Sequence, residues 1–111
     1  MIFIEFRAFS RRRAELLDDE SFRALQRVLL ENPEAGAEIK GTGGLRKLRW
    51  AVEGHGKRGG VRVIYIPLRT RAVILFLLLY QKNEQEDLTA GQKRLLRALV
   101  EREITGIKGE P

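Results

Sequence analysis

The sequence predicts an α+β domain, and three observations carry that prediction. A short bulky run at the N-terminus is followed by helical segments. Apolar runs of β character then come one after another. A helical segment with its own cap closes the chain. With 111 residues there is room for one domain and one core, assigned to residues 1–103.

Residues 1–6 alternate weakly and read as a strand. Ser10 is placed to cap a short helix over residues 11–17. A second helix spans residues 19–31, with Phe22, Leu25, Val28 and Leu29 at the helical period as its buried stripe. Asn32-Pro33 ends it, because the residue before proline avoids the helical region. Only a residue or two separate these helices, so they form a hairpin. Gly41-Thr42-Gly43-Gly44 is a connection. Residues 45–51 read as a strand, with Lys47 and Arg49 on one face and Leu48 and Trp50 on the other. A polar, glycine-rich hairpin loop covers residues 53–60 and leads into a strand over residues 61–68. Residues 69–71 turn the chain. The near-continuous apolar run 72–81 suits a central strand buried on both faces. The three later strands thus form an antiparallel meander, with the helices packed on it. Thr89 and Gln92 match a capping box. Their helix runs to about Glu103 and buries Leu95, Leu96 and Leu99. Residues 104–111 read as a loose tail.

Charge gives the first functional indication. Lysine and arginine total 21 against 15 acidic residues, a formal charge of +6. That balance favours a polyanionic partner, nucleic acid first. The excess is local: Lys40, Arg46, Lys47, Arg49, Lys57, Arg58, Arg62, Arg69 and Arg71 fall within residues 40–71, where Glu53 is the one acidic residue. No cysteine is present, which excludes disulfides and thiolate metal sites and fits a cytoplasmic location. The N-terminal run lacks the pattern of a signal peptide, and the longest apolar run is too short to span a bilayer, so no membrane role is expected.

Familiar catalytic sets are missing. The single histidine, His55, lies in the glycine-rich loop, so a two-histidine ribonuclease is impossible. No spacing suggests a metal site or a nucleotide-phosphate loop, and no cofactor is expected. What remains is a set of cations on strands and one loop. Lys57 and Arg58 crown the loop. Arg62 heads a strand face that continues with Ile64 and Ile66. Tyr80 and Lys82 share a parity at the end of the last strand. In a meander the start of the third strand lies beside the end of the fourth, so Arg62 approaches Tyr80 and Lys82. Such a cluster can cut RNA: a base takes the ribose 2′ proton, cations stabilise the phosphorane, and an acid protonates the leaving 5′ oxygen. A lysine among cations can serve as base. Arginine holds phosphate bidentately. A tyrosine can stack on a base or orient the phosphate.

Plainer roles stand beside these. Arg62 can pair with Glu84 or Asp87. The Tyr80 hydroxyl can simply face water. Tyr65 and Trp50 have apolar same-face neighbours and read as core. Arg11-Arg12-Arg13 reads as a solvated basic run that can also face a protein partner or ribosomal RNA.

Three stretches together resemble a known family. They are Asn32-Pro33-Glu34-Ala35-Gly36 with Ile39 and Gly41-Thr42-Gly43-Gly44-Leu45-Arg46-Lys47-Leu48-Arg49; Gly56-Lys57-Arg58-Gly59-Gly60-Val61-Arg62-Val63-Ile64-Tyr65; and Leu79-Tyr80-Gln81-Lys82-Asn83-Glu84 with Asp87-Leu88-Thr89. In order and spacing, over residues 2–103, they resemble the HigB-like toxins of the RelE/ParE superfamily. The resemblance implies a compact RelE-like fold, with a helical hairpin on a small, mainly antiparallel sheet. It implies ribosome-dependent cleavage of mRNA, contact with ribosomal RNA, and a HigA-like helix-turn-helix antitoxin as partner. By motif it places catalysis at Lys57, Arg62, Tyr80 and Lys82, and RNA binding at Lys47, Arg49 and Arg58. RelE relatives carry an arginine and a tyrosine near the C-terminal end of the sheet or chain. Here the nearby cation is Lys82, so base and acid stay unassigned. The alternatives are a ParE-like protein that poisons DNA gyrase by binding, and a basic nucleic-acid-binding module without toxicity.

Overall fold

The computed structural model describes residues 1–52 and 60–108. Its elements are β1 (Ile2–Glu5), α1 (Arg7–Leu16), α2 (Asp19–Glu31), β2 (Ala37–Glu38), β3 (Arg46–Trp50), β4 (Val61–Leu68), a 3-10 turn (Arg69–Arg71), β5 (Val73–Gln81) and α3 (Ala90–Lys108). The strands form one sheet in the order β1-β5-β4-β3-β2. The α+β architecture is as the sequence predicts. β3, β4 and β5 are the antiparallel meander, and β1 joins the far side of β5 in parallel. β2 adds a two-residue edge strand that the sequence reading did not include.

Strand alternation sorts the apolar residues onto two faces. The α1–α2 hairpin covers one face, where Phe9, Phe22, Leu25 and Leu29 meet Val63, Tyr65, Ile74 and Phe76. Phe9 is fully buried and stacks on Phe76 at 4.8 Å between ring centroids. α3 covers the other face, where Leu88, Leu96 and Val100 meet Ile64, Leu75 and Leu77. Burial on both sides explains the unbroken apolar run of β5. The pairing steps from Ile64↔Leu78 to Tyr65↔Phe76, so Leu77 is one extra residue in β5. This bulge turns both Leu77 and Leu78 towards α3.

The helices differ from expectation in their ends and stripes. α1 starts at Arg7 rather than residue 11. Ser10 lies inside it and donates to Glu5 Oε1 at 2.7 Å instead of capping. α2 has the expected bounds, and the Asp18 carboxylate accepts the Ser21 N–H at 2.7 Å. Val28 is exposed, because the hairpin presents only Phe22, Leu25 and Leu29 to the sheet. The capping box forms as read: Gln92 N–H donates to Thr89 Oγ1, and Thr89 N–H donates to Gln92 Oε1. α3 does not stop at Glu103. Leu96, Val100 and Ile104 recur every fourth residue on the sheet side, so the apolar stripe carries the helix on to Lys108. Leu95 falls off that stripe and is 59% exposed, contrary to the expectation that it is buried.

Two buried contacts fix the connections around the sheet. The Tyr65 hydroxyl donates to the Pro33 carbonyl at 2.7 Å and accepts the Gly36 N–H at 2.9 Å, so Tyr65 is a core residue, as read. Gly60 passes so close to β3 that a Cβ there would stand 2.6 Å from the Trp50 carbonyl oxygen. A side chain at Gly60 would push β4 away from β3 where the cation-bearing ends of the strands meet.

Candidate active site

The pairing register lays three polar side chains in one row. Arg49 of β3 pairs with Arg62 of β4, and Arg62 pairs with Tyr80 of β5. Directly paired residues point to the same side, with Cβ atoms about 5 Å apart. The side is that of α3, since Tyr80 belongs to the cluster around Leu88 and Leu96.

Arg62 is 5% exposed, and no carboxylate pairs with it among the described residues. Its Nε is buried without a hydrogen-bond partner among the described residues. Nη1 reaches the Val61 carbonyl at 3.5 Å. Burying an unpaired charge is costly, and placing a second arginine opposite it adds repulsion. The two acids considered as partners for Arg62 serve other cations. Glu84 accepts two bonds from Arg12 Nη2, at 2.8 and 3.0 Å. Asp87 accepts from Lys47 Nζ at 2.7 Å.

The segment between β5 and α3, residues 82–89, crosses this end of the sheet and is pinned from several sides. The Tyr80 hydroxyl donates to the Glu86 carbonyl at 3.3 Å, and Lys47 Nζ reaches the same oxygen at 3.3 Å. Tyr80 is buried, not solvated, and desolvation followed by the charge of Asp87 raises its pKa. The hydroxyl therefore stays protonated and tied to backbone. Glu84 accepts the Gln81 N–H at 2.7 Å; this bond first, and Arg12 after it, hold its carboxyl below the ordinary range. Asp87 is also held low, by its hydrogen bond from Lys47 first and by the Lys47 charge next.

The predicted residues therefore divide. Arg62 meets Tyr80, as the strand order required, and Arg49 stands on the other side of Arg62, a neighbour the sequence reading did not name. Lys47 shares their face but is engaged by Asp87. Lys82 is exposed just past β5, and its N–H pairs with the Gly60 carbonyl at 3.4 Å. Lys57, Arg58 and His55 lie outside the described residues. In sequence, Lys57 and Arg58 precede Gly60 by three and two positions. Trp50 donates to Ser21 Oγ at 2.9 Å beside the hairpin, which fits its reading as packing. Sequence reasoning missed the Arg12–Glu84 and Lys47–Asp87 pairs. It had singled out both carboxylates; the donors come from α1 and β3, distant in the chain.

Among the described residues no cluster of potential metal ligands occurs. No described helix is long and apolar enough to cross a membrane. A cavity of about 740 Å³ between β1, β5 and α3 is lined largely by Ile4, Phe6, Leu78 and Leu95, and none of Lys47, Arg49, Arg62 or Tyr80 reaches it.

The family model described as the RelE toxin of the RelE/RelB toxin–antitoxin system matches residues 3–107. A solved structure of the E. coli toxin RelE, a double arginine-to-alanine mutant in the free state, aligns with a TM-score of 0.55. It is 16% identical, covering 77% of this chain and 86% of the other. At that identity the alignment speaks for the fold.

Proposed function

The chain belongs to the RelE toxin family, the toxin half of a toxin–antitoxin pair, and from that premise we propose that it is a ribosome-dependent mRNA endoribonuclease of HigB type. The carrying observation is Arg62, a buried guanidinium without a carboxylate among the described residues, set between Arg49 and Tyr80. An uncompensated cation beside a second cation suits a site whose counter-charge arrives with the substrate.

The reaction is in-line transesterification. The 2′-hydroxyl oxygen attacks the adjacent phosphorus, the bond to the 5′ oxygen breaks, and the products are a 2′,3′-cyclic phosphate and a 5′-hydroxyl. Arg62 takes the non-bridging phosphate oxygens and stabilises the phosphorane, swinging outward on its long side chain to meet them. Arg49 and Arg58 hold the flanking backbone. Lys57 and Lys82 carry the proton transfers, one removing the 2′ proton and the other protonating the 5′ oxygen. Tyr80 acts on the site by fixing the Glu86 carbonyl and the segment that follows Lys82. Cations are a weak set for proton transfer, so the ribosome contributes the attack-ready alignment of the message. The natural partner is a HigA-like helix-turn-helix antitoxin, and the site of action is the cytoplasm.

Primer extension on messages in a reconstituted translation system tests this reading. Cuts are expected in translated mRNA, with naked RNA largely intact and Arg62→Ala inactive. Gyrase-dependent DNA breaks without RNA cuts would favour the ParE-like alternative.

A further inference from the structure

Beside the arginine row lies a second basic site that the proposed chemistry leaves unused. A cavity of about 300 Å³ is lined by Lys40, Lys47 and Lys93, with Ile39 and Leu88 as apolar walls and Asp87 at its edge. The lysines come from three places: the turn after β2, strand β3, and the first turn of α3. Two carboxylates share the lining, Glu38 and Asp87: Asp87 is bonded to Lys47 Nζ at 2.7 Å and three-quarters exposed, and Glu38 makes no ion pair among the described residues. Lys93 and Arg49 also act on the Asp87 carboxyl, after Lys47.

The geometry joins this cavity to the arginine row. Lys47 and Arg49 are two residues apart on one strand face, about 7 Å along β3. That is comparable with one nucleotide step of an extended chain. We propose that the lysine cavity is a subsite for the phosphate next to the scissile one, and that Asp87 occupies it as an internal competitor until RNA displaces it. The inference rests on the ribonuclease reading for its substrate class, single-stranded RNA. An exposed ion pair is weak and breaks readily, so Asp87 works as a placeholder rather than a lock. On binding, Lys47 exchanges a carboxylate for a phosphate, and Lys40 and Lys93, in no ion pair among the described residues, add positive charge that outweighs Glu38. A purely structural role for Asp87, pinning the segment before α3, makes the opposite prediction about affinity.

Fluorescence anisotropy of the whole chain with a short 2′-O-methyl RNA, which lacks the attacking hydroxyl, separates the two. Asp87→Asn should bind it roughly threefold tighter or more, since one repelling and competing charge is gone. Lys40→Ala combined with Lys93→Ala should weaken binding and lower the salt dependence by about 1 in the log–log slope. Both positions accept these changes without touching a core. Unchanged or weaker binding by Asp87→Asn, or a wild-type slope in the double variant, overturns the subsite. If mRNA stays uncut by every variant while the affinity pattern holds, the subsite stands and the ribonuclease reading falls. If cleavage depends on Arg62 while Asp87→Asn binds like wild type, the subsite falls alone.

Discussion

Arg49 and Arg62 face each other across β3 and β4, one exposed and one buried, with no acid between them among the described residues. Like charges in direct cross-strand register destabilise a sheet. The pair is therefore a place where the sheet gives up stability, as the proposed grip on a phosphate requires. Replacing Arg62 by methionine should leave the fold as stable as before or more so, by roughly 1 kcal/mol, because a buried charge with no carboxylate partner among the described residues is replaced by packing. The same change should lower mRNA cleavage about 100-fold or more, the usual loss when a transition-state donor is removed. Thermal melts beside cleavage rates read both. A large loss of stability in Arg62→Met would mean that the guanidinium is a structural strut.

Tyr80 separates a positioning role from a chemical one. Its hydroxyl is held by the Glu86 carbonyl, and Lys47 bonds the same oxygen, so that carbonyl keeps a partner in Tyr80→Phe. The variant should lose about 0.5–1 kcal/mol of stability. Cleavage should fall by less than about tenfold, well short of a removed proton donor. A loss as deep as that of Arg62→Ala would put the hydroxyl among the reacting groups.

Glu84 ties the segment after β5 to α1 and predicts a pH dependence with a definite sign. Its folded carboxyl titrates below the ordinary range, through the Gln81 N–H first and Arg12 after it. A lowered carboxyl stabilises the fold fully above the unfolded pKa, and that gain is lost as pH falls through the folded value. Glu84→Gln should therefore cost about 0.5–1 kcal/mol at pH 7, the scale of a surface ion pair. The difference from wild type should vanish in acid below the folded titration. Melting curves taken from pH 7 downward check this; a gap that persists in acid would remove the ion pair as its cause.

The hydrophobic face under the hairpin predicts a stability effect independent of chemistry. Phe9 stacks on Phe76 and tilts against Phe22 at 5.9 Å, with no exposure to solvent. Phe9→Ala should cost about 3–5 kcal/mol through lost burial and the cavity left behind. Denaturant unfolding measures it, and a cost under about 1 kcal/mol would show that the hairpin does not share the sheet's core.

The parts of this molecule that were legible in the sequence are those governed by local periodicity. Period two put Lys47 and Arg49 on one face of β3 and Leu48 and Trp50 on the other. The capping pair Thr89 and Gln92 announced α3. Asn32-Pro33 announced the end of α2. Within the candidate site, the meeting of Arg62 and Tyr80 followed from strand order alone. The parts that escaped depend on contacts between distant segments. Nothing local in Ile2–Glu5 says that it pairs in parallel with β5. Arg7 to Ser10 carry no polar cap signal, and α1 begins there because it packs on β5. Val28 and Leu95 fit an apolar pattern, yet each helix buries a stripe narrower than that pattern. Lys47 looked available for RNA because its partner, Asp87, lies forty residues away.

Arg62 is proposed to grip the scissile phosphate, and the ends of cut messages test that most directly. Translated mRNA treated with the wild-type chain should carry 2′,3′-cyclic phosphate and 5′-hydroxyl termini, and Arg62→Ala should yield none above background. Cuts that persist at wild-type rate with Arg62→Ala, or that leave 5′-phosphate ends, would contradict the account.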